Sequence, residues 1–452
     1  MAGVIATIPK FQFSANGVPM VGGTLDTYIA GSTTPATTWQ DSALTIANTN
    51  PISLDARGEC VLWLDSTKSY KFVLKNASGV IQWTQDNISG AGSLADKLRT
   101  DLAASSGASL VGGAGQVVSS IAGLRALLKT SASKNAFVTG YYAAGDGGGG
   151  AYWYDSTDTT SADNGGSIIV ATDGGRWKLR YSSSICASQF GAIGDGVTDC
   201  TTALAACATW AATFTFPPKI TFRSGTYKYS ACPNFAIPHL VLYADGEVIL
   251  NYTGTGVAFN FDSFNSGNTS TFIYDVEASN FIIDAPLAYT GLWTRNVVHS
   301  RFHNIKIKSL TSANGGTPAT RGAGFRLSGS ILNTFTDCEC SINTFPSGIM
   351  PFYGLYLDDS TTNGTRVSTA NTFVNPKLEG AQVGVYLADA QSNVFLGGTA
   401  EACGIYGIAD GGTSFNNTFI GMGLEANTTE DFYLCGSKNT ILNCYKIGRA
   451  HV

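Results

Sequence analysis

The amino-acid sequence predicts an all-β chain whose larger part is a parallel β-helix. Three observations predict it. A short strand with Asn in fixed phase recurs as Asn333-Thr-Phe, Asn371-Thr-Phe, Asn393-Val-Phe, Asn417-Thr-Phe and Asn439-Thr-Ile, at intervals of 38, 22, 24 and 22 residues. A period near 22 is one turn of coil per repeat. Before each Asn lies a strand of one kind: Gly324-Phe-Arg-Leu, Gly354-Leu-Tyr-Leu, Gly384-Val-Tyr-Leu, Tyr406-Gly-Ile-Ala and Asp431-Phe-Tyr-Leu. The composition is poor in charge and rich in turn residues, with 13% charged and 53 Gly among 452 residues. It does not fit a helical enzyme or a disordered chain. The repeated Asn are expected to stack in one column, their amides serving the backbone where the chain turns.

The elements follow in order. Residues 1–90 read as a compact β module: short alternating runs (Gly23 to Tyr28, Tyr70 to Leu74, Val80 to Trp83) are separated by turn clusters such as Asn16-Gly17 and Ser78-Gly79. Residues 91–135 read as a connector, with helical spacing from Leu94 to Leu102 and then Ser and Gly to Gly115. Residues 136–185 read as a β-rich neck that opens on the loop Gly145–Gly150 and ends near Trp177-Lys-Leu-Arg180. The glycine run lacks the Lys-Ser/Thr and the strand–loop–helix frame of a phosphate loop. Residues 186–448 read as the coil. A helix is predicted over Thr201–Ala212, with apolar residues at 204, 207, 208 and 211, and it is expected to cap the open end. A strand through Phe216–Phe222, a turn, and a second strand at Gly225-Thr-Tyr227 should follow.

These segments carry a family resemblance. Gly191-Ala-Ile-Gly-Asp-Gly-Val-Thr-Asp199, with Phe216-Pro-Pro and Ser224-Gly-Thr-Tyr227, resembles the entry segment of pectate-lyase-like right-handed β-helices, in the version found in bacteriophage tailspikes. Gly22-Gly-Thr-Leu-Asp-Thr-Tyr28, Gly31-Ser-Thr-Thr-Pro35, Trp39-Gln-Asp41, Asn50-Pro51 and Asp55-Ala-Arg-Gly-Glu59 resemble the head-binding domain of podovirus tailspikes. Lys97-Leu-Arg99, Asp101-Leu-Ala103 and Gly107 to Gly112 resemble their connector. The resemblance implies a homotrimer held in the virion tail by its N-terminal domain, through tail or portal proteins. It implies a coil that binds or cleaves a host surface polysaccharide, O-antigen or capsule. Many tailspikes carry a further C-terminal trimerisation domain. Here the last coil ends at Lys446-Ile-Gly448, so the expectation is a short spike or one on which a longer spike docks.

The totals narrow the partners. A net charge of −5 argues against nucleic acid or an anionic membrane as main partner. No apolar run of about 18 residues is present, so no membrane insertion is expected. The ten cysteines form no CxxC pair, and with only four His a structural zinc site is not expected. They read as reduced core thiols, and Met1-Ala-Gly-Val-Ile lacks a basic start and long apolar run, so synthesis in the bacterial cytoplasm is expected. No cofactor is expected.

The candidate chemistry rests on phase. After each Asn comes Cys338-Glu-Cys, Leu378-Glu-Gly, Ala400-Glu-Ala or Leu424-Glu-Ala. With the small and apolar flanks inward, Glu339, Glu379, Glu401 and Glu425 point outward as a row of carboxylates about 4.8 Å apart, with Lys446 near its end but one residue out of phase. Glycosidic cleavage needs two carboxylates about 5 Å or about 6.5–9.5 Å apart. Glu379 and Glu401 are the first candidates, beside the loop Ser360–Ala370; Asp359 and Asp389 are the reserve, and Asp410 a further partner. Tyr356, Tyr386 and Tyr433 are expected outward on the preceding strand, where rings stack on sugars or pack a subunit seam. Glu339 and Glu425 complete the expected glycan face. The loops Thr311–Arg321 and Ile342–Pro351 also interrupt the repeat, as binding-face insertions do. His299 and His303, without a nearby carboxylate, read as coil residues rather than metal ligands. The bland alternative is a solvated or subunit-facing row of Glu. Two other functions stay open: a non-enzymatic adhesin or adaptor, and a cellular pectate-lyase-like enzyme.

Overall fold

A computed structural model describes residues 10–65, 68–88, 98, 100–102, 115–129, 134–263, 271–310, 322–341, 351–359 and 366–447. Most of the expected connector, with all of its helix but the helical residues 98 and 100–102, and the loop insertions at 311–321, 342–350 and 360–365 lie outside the described residues. The chain divides into two compact units, residues 1–114 and 115–452.

The first unit is built on a four-stranded antiparallel sheet in the order Ile52–Ser53, Thr24–Ile29, Tyr70–Lys75, Ile81–Ile88. Alternation sends Tyr70, Phe72 and Leu74 inward to meet Leu25, Ile52, Leu54 and Leu62. Asn16 and Gly17, at φ 52° and 79°, form the two-residue turn that closes Ser14–Ala15 on Val18–Pro19. Both central residues of such a turn need positive φ, which is why Asn-Gly stands there.

The second unit opens with a five-stranded sheet in the order Ile168–Val170, Arg176–Leu179, Gly150–Asp155, Asn135–Val138, Gln116–Val118. The helix Ile121–Ala126 starts at Ser120, whose hydroxyl accepts from the Gly123 amide. Its Ile121 and Leu124, with Tyr152 and Trp177, belong to the same continuous core as the coil.

The coil begins at a 3₁₀ turn, Ala187–Phe190. The helix Thr201–Ala211 follows and buries Leu204, Cys207, Ala208, Trp210 and Ala211 over the first coil. The two strands expected after it are one strand, Lys219–Tyr229, with a register shift between Arg223 and Gly225. Gly225 makes this bend possible: its φ is +150°, and a Cβ would sit 2.5 Å from the Gly194 carbonyl oxygen.

Among the described residues, successive coils then stack in parallel. One wall is a seven-stranded sheet: Val257–Asp262, Thr290–Arg295, Ala323–Ser328, Tyr353–Asp358, Val383–Leu387, Tyr406–Asp410 and Glu430–Tyr433. The strands that follow each Asn form a second wall, from Arg301–His303 to Thr440–Leu442. The Asn stack in one buried column. The Asn371 amide N–H and Nδ2 both donate to Asn393 Oδ1 at 3.0 Å, and Asn393 repeats this with Asn417. The residue before each Asn is left-handed: Leu332, Ala370, Ser392, Asn416 and Lys438 have φ between 54° and 62°. That conformation costs a non-glycine residue roughly 1–2 kcal/mol, and the Asn column offsets it by satisfying the corner amides. Phe335, Phe373, Phe395 and Phe419, each two residues after an Asn, and Phe302, two after Ser300, stack inside the coil at centroid separations of 4.7, 5.3, 4.6 and 4.9 Å. All ten cysteines are free; seven are buried, but Cys435 is exposed, against the expectation of core thiols throughout. No described helix is long and apolar enough to cross a membrane.

Candidate functional site

Three groups of side chains lie on the outside of the coil, and the register decides which belong together.

The first is the glutamate corner. The expected row of four carboxylates is corrected to three. Glu339 pairs in register with Lys377, and Cys340 with Leu378. Lys377 continues to Thr399 and Gly423. Glu339 therefore lies two residues out of phase with Glu379, Glu401 and Glu425. The three are joined through the backbone: the Gly380 amide donates to the Glu401 carbonyl at 2.8 Å, and Ala402 to that of Glu425 at 2.8 Å. Glu425 pairs with Ile447 at the end of the row, and Lys446 with Leu424.

The members differ in surroundings. Glu379 is 8% exposed. Thr399 Oγ1 donates to its Oε1 at 2.8 Å, and Lys377 Nζ stands 3.8 Å from its Oε2. The same Nζ is 3.4 Å from Glu339 Oε1, which also accepts from Ser341 Oγ at 2.6 Å. Glu401 lies over Gly423, where a Cβ would come 2.9 Å from its Oε1. Burial, then the charges of Glu379 and Glu425, push the Glu401 carboxyl above its usual range, with Lys377 opposing. Two stacked carboxylates with a cation and a hydroxyl directed at one of them are chemically unequal. Lys377→Met removes the opposing charge and should raise the Glu401 pKa further. Any cleavage that requires protonated Glu401 then persists to higher pH. A pH–rate profile with an unmoved alkaline limb would exclude Glu401 as the acid.

The second group is an aromatic face on the seven-stranded wall. Trp293, Arg326, Tyr356, Tyr386, Ala409 and Tyr433 are in one register column. The expected exposure of Tyr356 is corrected: it lies outside the coil core but is only 4% exposed. Its ring stacks on Tyr353 at 4.8 Å and on Tyr386 at 5.8 Å. Tyr386 is half-buried, and Tyr433 is exposed and stacked on Tyr406 at 4.8 Å. The Arg326 guanidinium sits between Trp293, 4.9 Å away, and Tyr356, 5.3 Å away, and meets Asp358 at 2.5 Å. Trp293 and Arg326 were missed as surface residues. Their signal was phase: Gly291-Leu-Trp and Gly324-Phe-Arg align with Gly354-Leu-Tyr and Gly384-Val-Tyr.

The third group is at the far end of those strands. Burial, then the charge of Asp389, push Asp359 above its usual range. Neither is a partner for Glu379. From Val383 to Asp389 the chain runs about 20 Å at about 3.3 Å per residue. Asp410 is buried and accepts from the amides of Gly412, Cys435 and Gly436, a structural role. The loop Ser360–Ala370, expected to border the Glu pair, lies for the most part outside the described residues. His303, expected without a carboxylate nearby, has Asp337 Oδ2 at 3.7 Å from its Nε2, while His299 is a left-handed corner residue at φ 54°.

The fold of this coil is similar to that of phage tailspike proteins. Residues 117–182 match the model of the phage tail protein small four-stranded β-sheet domain. Full-length tailspike protein 2 of an Escherichia coli O157:H7 bacteriophage superimposes with a TM-score of 0.52 at 17% identity, over 91% of this chain and 56% of that one. The enzymatically active domain of bacteriophage CBA120 tailspike protein 2 does so with a TM-score of 0.50 at 15% identity, over 78% and 55%. At such identities the fold is what is shared, and this chain spans little more than half the length of those tailspikes. No curated protein matches the sequence.

Proposed function

We propose that this chain is a tailspike of the phage virion, which binds host surface polysaccharide along its coil and shortens it at the glutamate corner. The observation that carries the reading is the unequal pair Glu379 and Glu401 on adjacent coils of a tailspike fold. The similarity to tailspike protein 2, for which an enzymatically active domain is described, supports it. Adjacent strands lie about 4.8 Å apart, a spacing that supports a nucleophile and an acid on neighbouring coils, whose carboxyls stand about 5 Å apart. Glu401 protonates the glycosidic oxygen as the bond to the anomeric carbon breaks. Glu379 forms a bond to that carbon, and water then releases the sugar with Glu401 taking the proton. Glu425 and Tyr386 extend the surface along the coil. Incubation with capsular and O-antigen polysaccharides, followed by fragment sizing, tests this; polymers of unchanged length would overturn it.

One observation favours a second reading, a non-enzymatic adhesin. Lys377 and Thr399 already satisfy Glu379 without any substrate. Retention of polysaccharide without shortening would select that reading.

The first unit is proposed as the anchor to tail or portal proteins and the whole as a homotrimer. Deletion of residues 1–90 should leave polysaccharide binding within about twofold, because the coil core is continuous without them. Loss of binding by a deletion variant that remains folded would contradict the division of labour. Mass measurement of the full chain should give three copies; a monomer would refute the trimer.

A further inference from the structure

A well-formed cavity lies away from the glutamate corner. It lies between the five-stranded sheet and the capping helix Thr201–Ala211, with a volume of about 950 Å³. Pockets that hold small ligands occupy about 300–1,000 Å³. The lining is rich in rings: Tyr142, Trp153 and Tyr181, with Trp210 from the helix. Tyr142 is 57% exposed and Tyr181 39%, an unusual display for rings so close to a core. Tyr181 meets Trp210 edge-on at 5.3 Å, which holds its ring against the cavity. The helix also bears a hydroxyl stripe. Thr202 and Thr209 are exposed on the helix and both line the cavity. They are seven residues apart, two helical turns, and so share one face.

The charged groups of the lining are already engaged. Asp163 receives Arg125 through two guanidinium nitrogens at 3.1 and 3.0 Å, and the amides of Gly165 and Val170. Lys178 Nζ lies 2.8 Å from Asp155 and 2.9 Å from Asp158. Asp199 accepts from the Thr201 amide at 2.8 Å. What the cavity offers a ligand is therefore rings and hydroxyls, with no unpaired cation among its described lining residues and one carboxylate, Asp199, held by the Thr201 amide and the Ser230 hydroxyl. That chemistry matches an uncharged sugar, whose C–H face covers an aromatic ring while its hydroxyls exchange hydrogen bonds. A polyanion would find no free cation to pair with.

We infer that this groove is a second carbohydrate site, which holds a stretch of neutral polysaccharide apart from the glutamate corner. It does not depend on cleavage at that corner. It would keep a long chain attached while the coil engages another segment, since two linked contacts raise the effective concentration of each.

The test uses the full chain and a panel of immobilised bacterial polysaccharides, half neutral and half containing uronate. The parent should retain at least one neutral polymer. Tyr181→Ala should weaken that binding roughly three- to tenfold, the scale of one stacking ring. Thr209→Trp, which fills the groove from the exposed helix face, should abolish it. Leu287→Ala, an exposed position outside the groove lining, should leave it unchanged. Capture of uronate polymers alone, or parental binding by both groove variants, would overturn the site. So would loss of self-association in Thr209→Trp with polysaccharide binding intact, which would show that a second copy of the chain covers the groove. Fragment sizing on the same variants keeps the two readings apart. A groove variant that still shortens polymer leaves the glutamate corner standing whether or not the groove binds sugar.

Discussion

Glu401→Gln and Glu379→Gln are each expected to slow polysaccharide shortening by roughly 10²–10⁴-fold, the contribution of a positioned acid or base. Both substitutions keep shape and most hydrogen bonding, and both remove a titrating carboxyl. Neither should unfold the coil. The sign for Glu401 is explicit. Its folded pKa is raised by burial and by its two carboxylate neighbours. The stability tied to its protonated form is therefore complete below its ordinary ionisation range and is lost as pH rises through the folded value. Gln stays neutral throughout. At neutral pH the Glu401→Gln variant should thus melt no lower than the parent, and the difference should vanish below about pH 4. The rate loss then separates from any folding loss. Parental cleavage rates in both variants would reduce the row to a solvated face, and Asp359 with Asp389 would be the next pair to replace.

Asn393→Ala is expected to be the most destabilising change in the coil corners, by about 3–6 kcal/mol. The side chain is fully buried. Its Oδ1 accepts from Asn371 N–H and Nδ2, each at 3.0 Å, and its Nδ2 donates to the Ser368 carbonyl at 3.1 Å and to Asn417 Oδ1 at 3.0 Å. Removing it strands partners on two neighbouring coils, each at roughly 1–3 kcal/mol. The adjacent Asn416 is exposed, and its amide donates to Ser392 Oγ at 3.0 Å. Asn416→Ala should cost about 1 kcal/mol or less, chiefly for a left-handed alanine. Denaturant midpoints measure both. Equal midpoints for the two variants would show that the buried Asn column does not hold the coils together.

The architecture was legible because it is periodic. Asn in constant phase, Phe two residues on, and Gly before Leu-Tyr-Leu are local patterns, and a solenoid is assembled from neighbours in sequence. The capping helix was legible for the same reason, with apolar residues spaced for one face. The glutamate corner was half legible. Counted from the stacked Phe, Glu379, Glu401 and Glu425 each stand six residues on, whereas Glu339 stands four residues on, where its neighbours carry Lys377 and Thr399. The flanking Cys338 and Cys340 looked like the flanks of the other three and hid the shift. A strand has period two, so a two-residue shift keeps Glu339 on the outer face while moving it to another column.

The sequence by itself determined the coil, its turn length, its Asn and Phe columns and the outward side of each strand, because these follow from hydrogen bonding and alternation within one or two turns. Only the tertiary structure decided which outward groups meet. It set Lys377 against Glu339 and Glu379, and left Glu401 beside two carboxylates. It buried Tyr356 against Arg326 and Tyr353, and put Asp359 and Asp389 a strand's length from the glutamates. It also opened a cavity between a sheet and a helix that no repeat predicts. These depend on register across corners and on packing between segments far apart in the chain, and no local period encodes either.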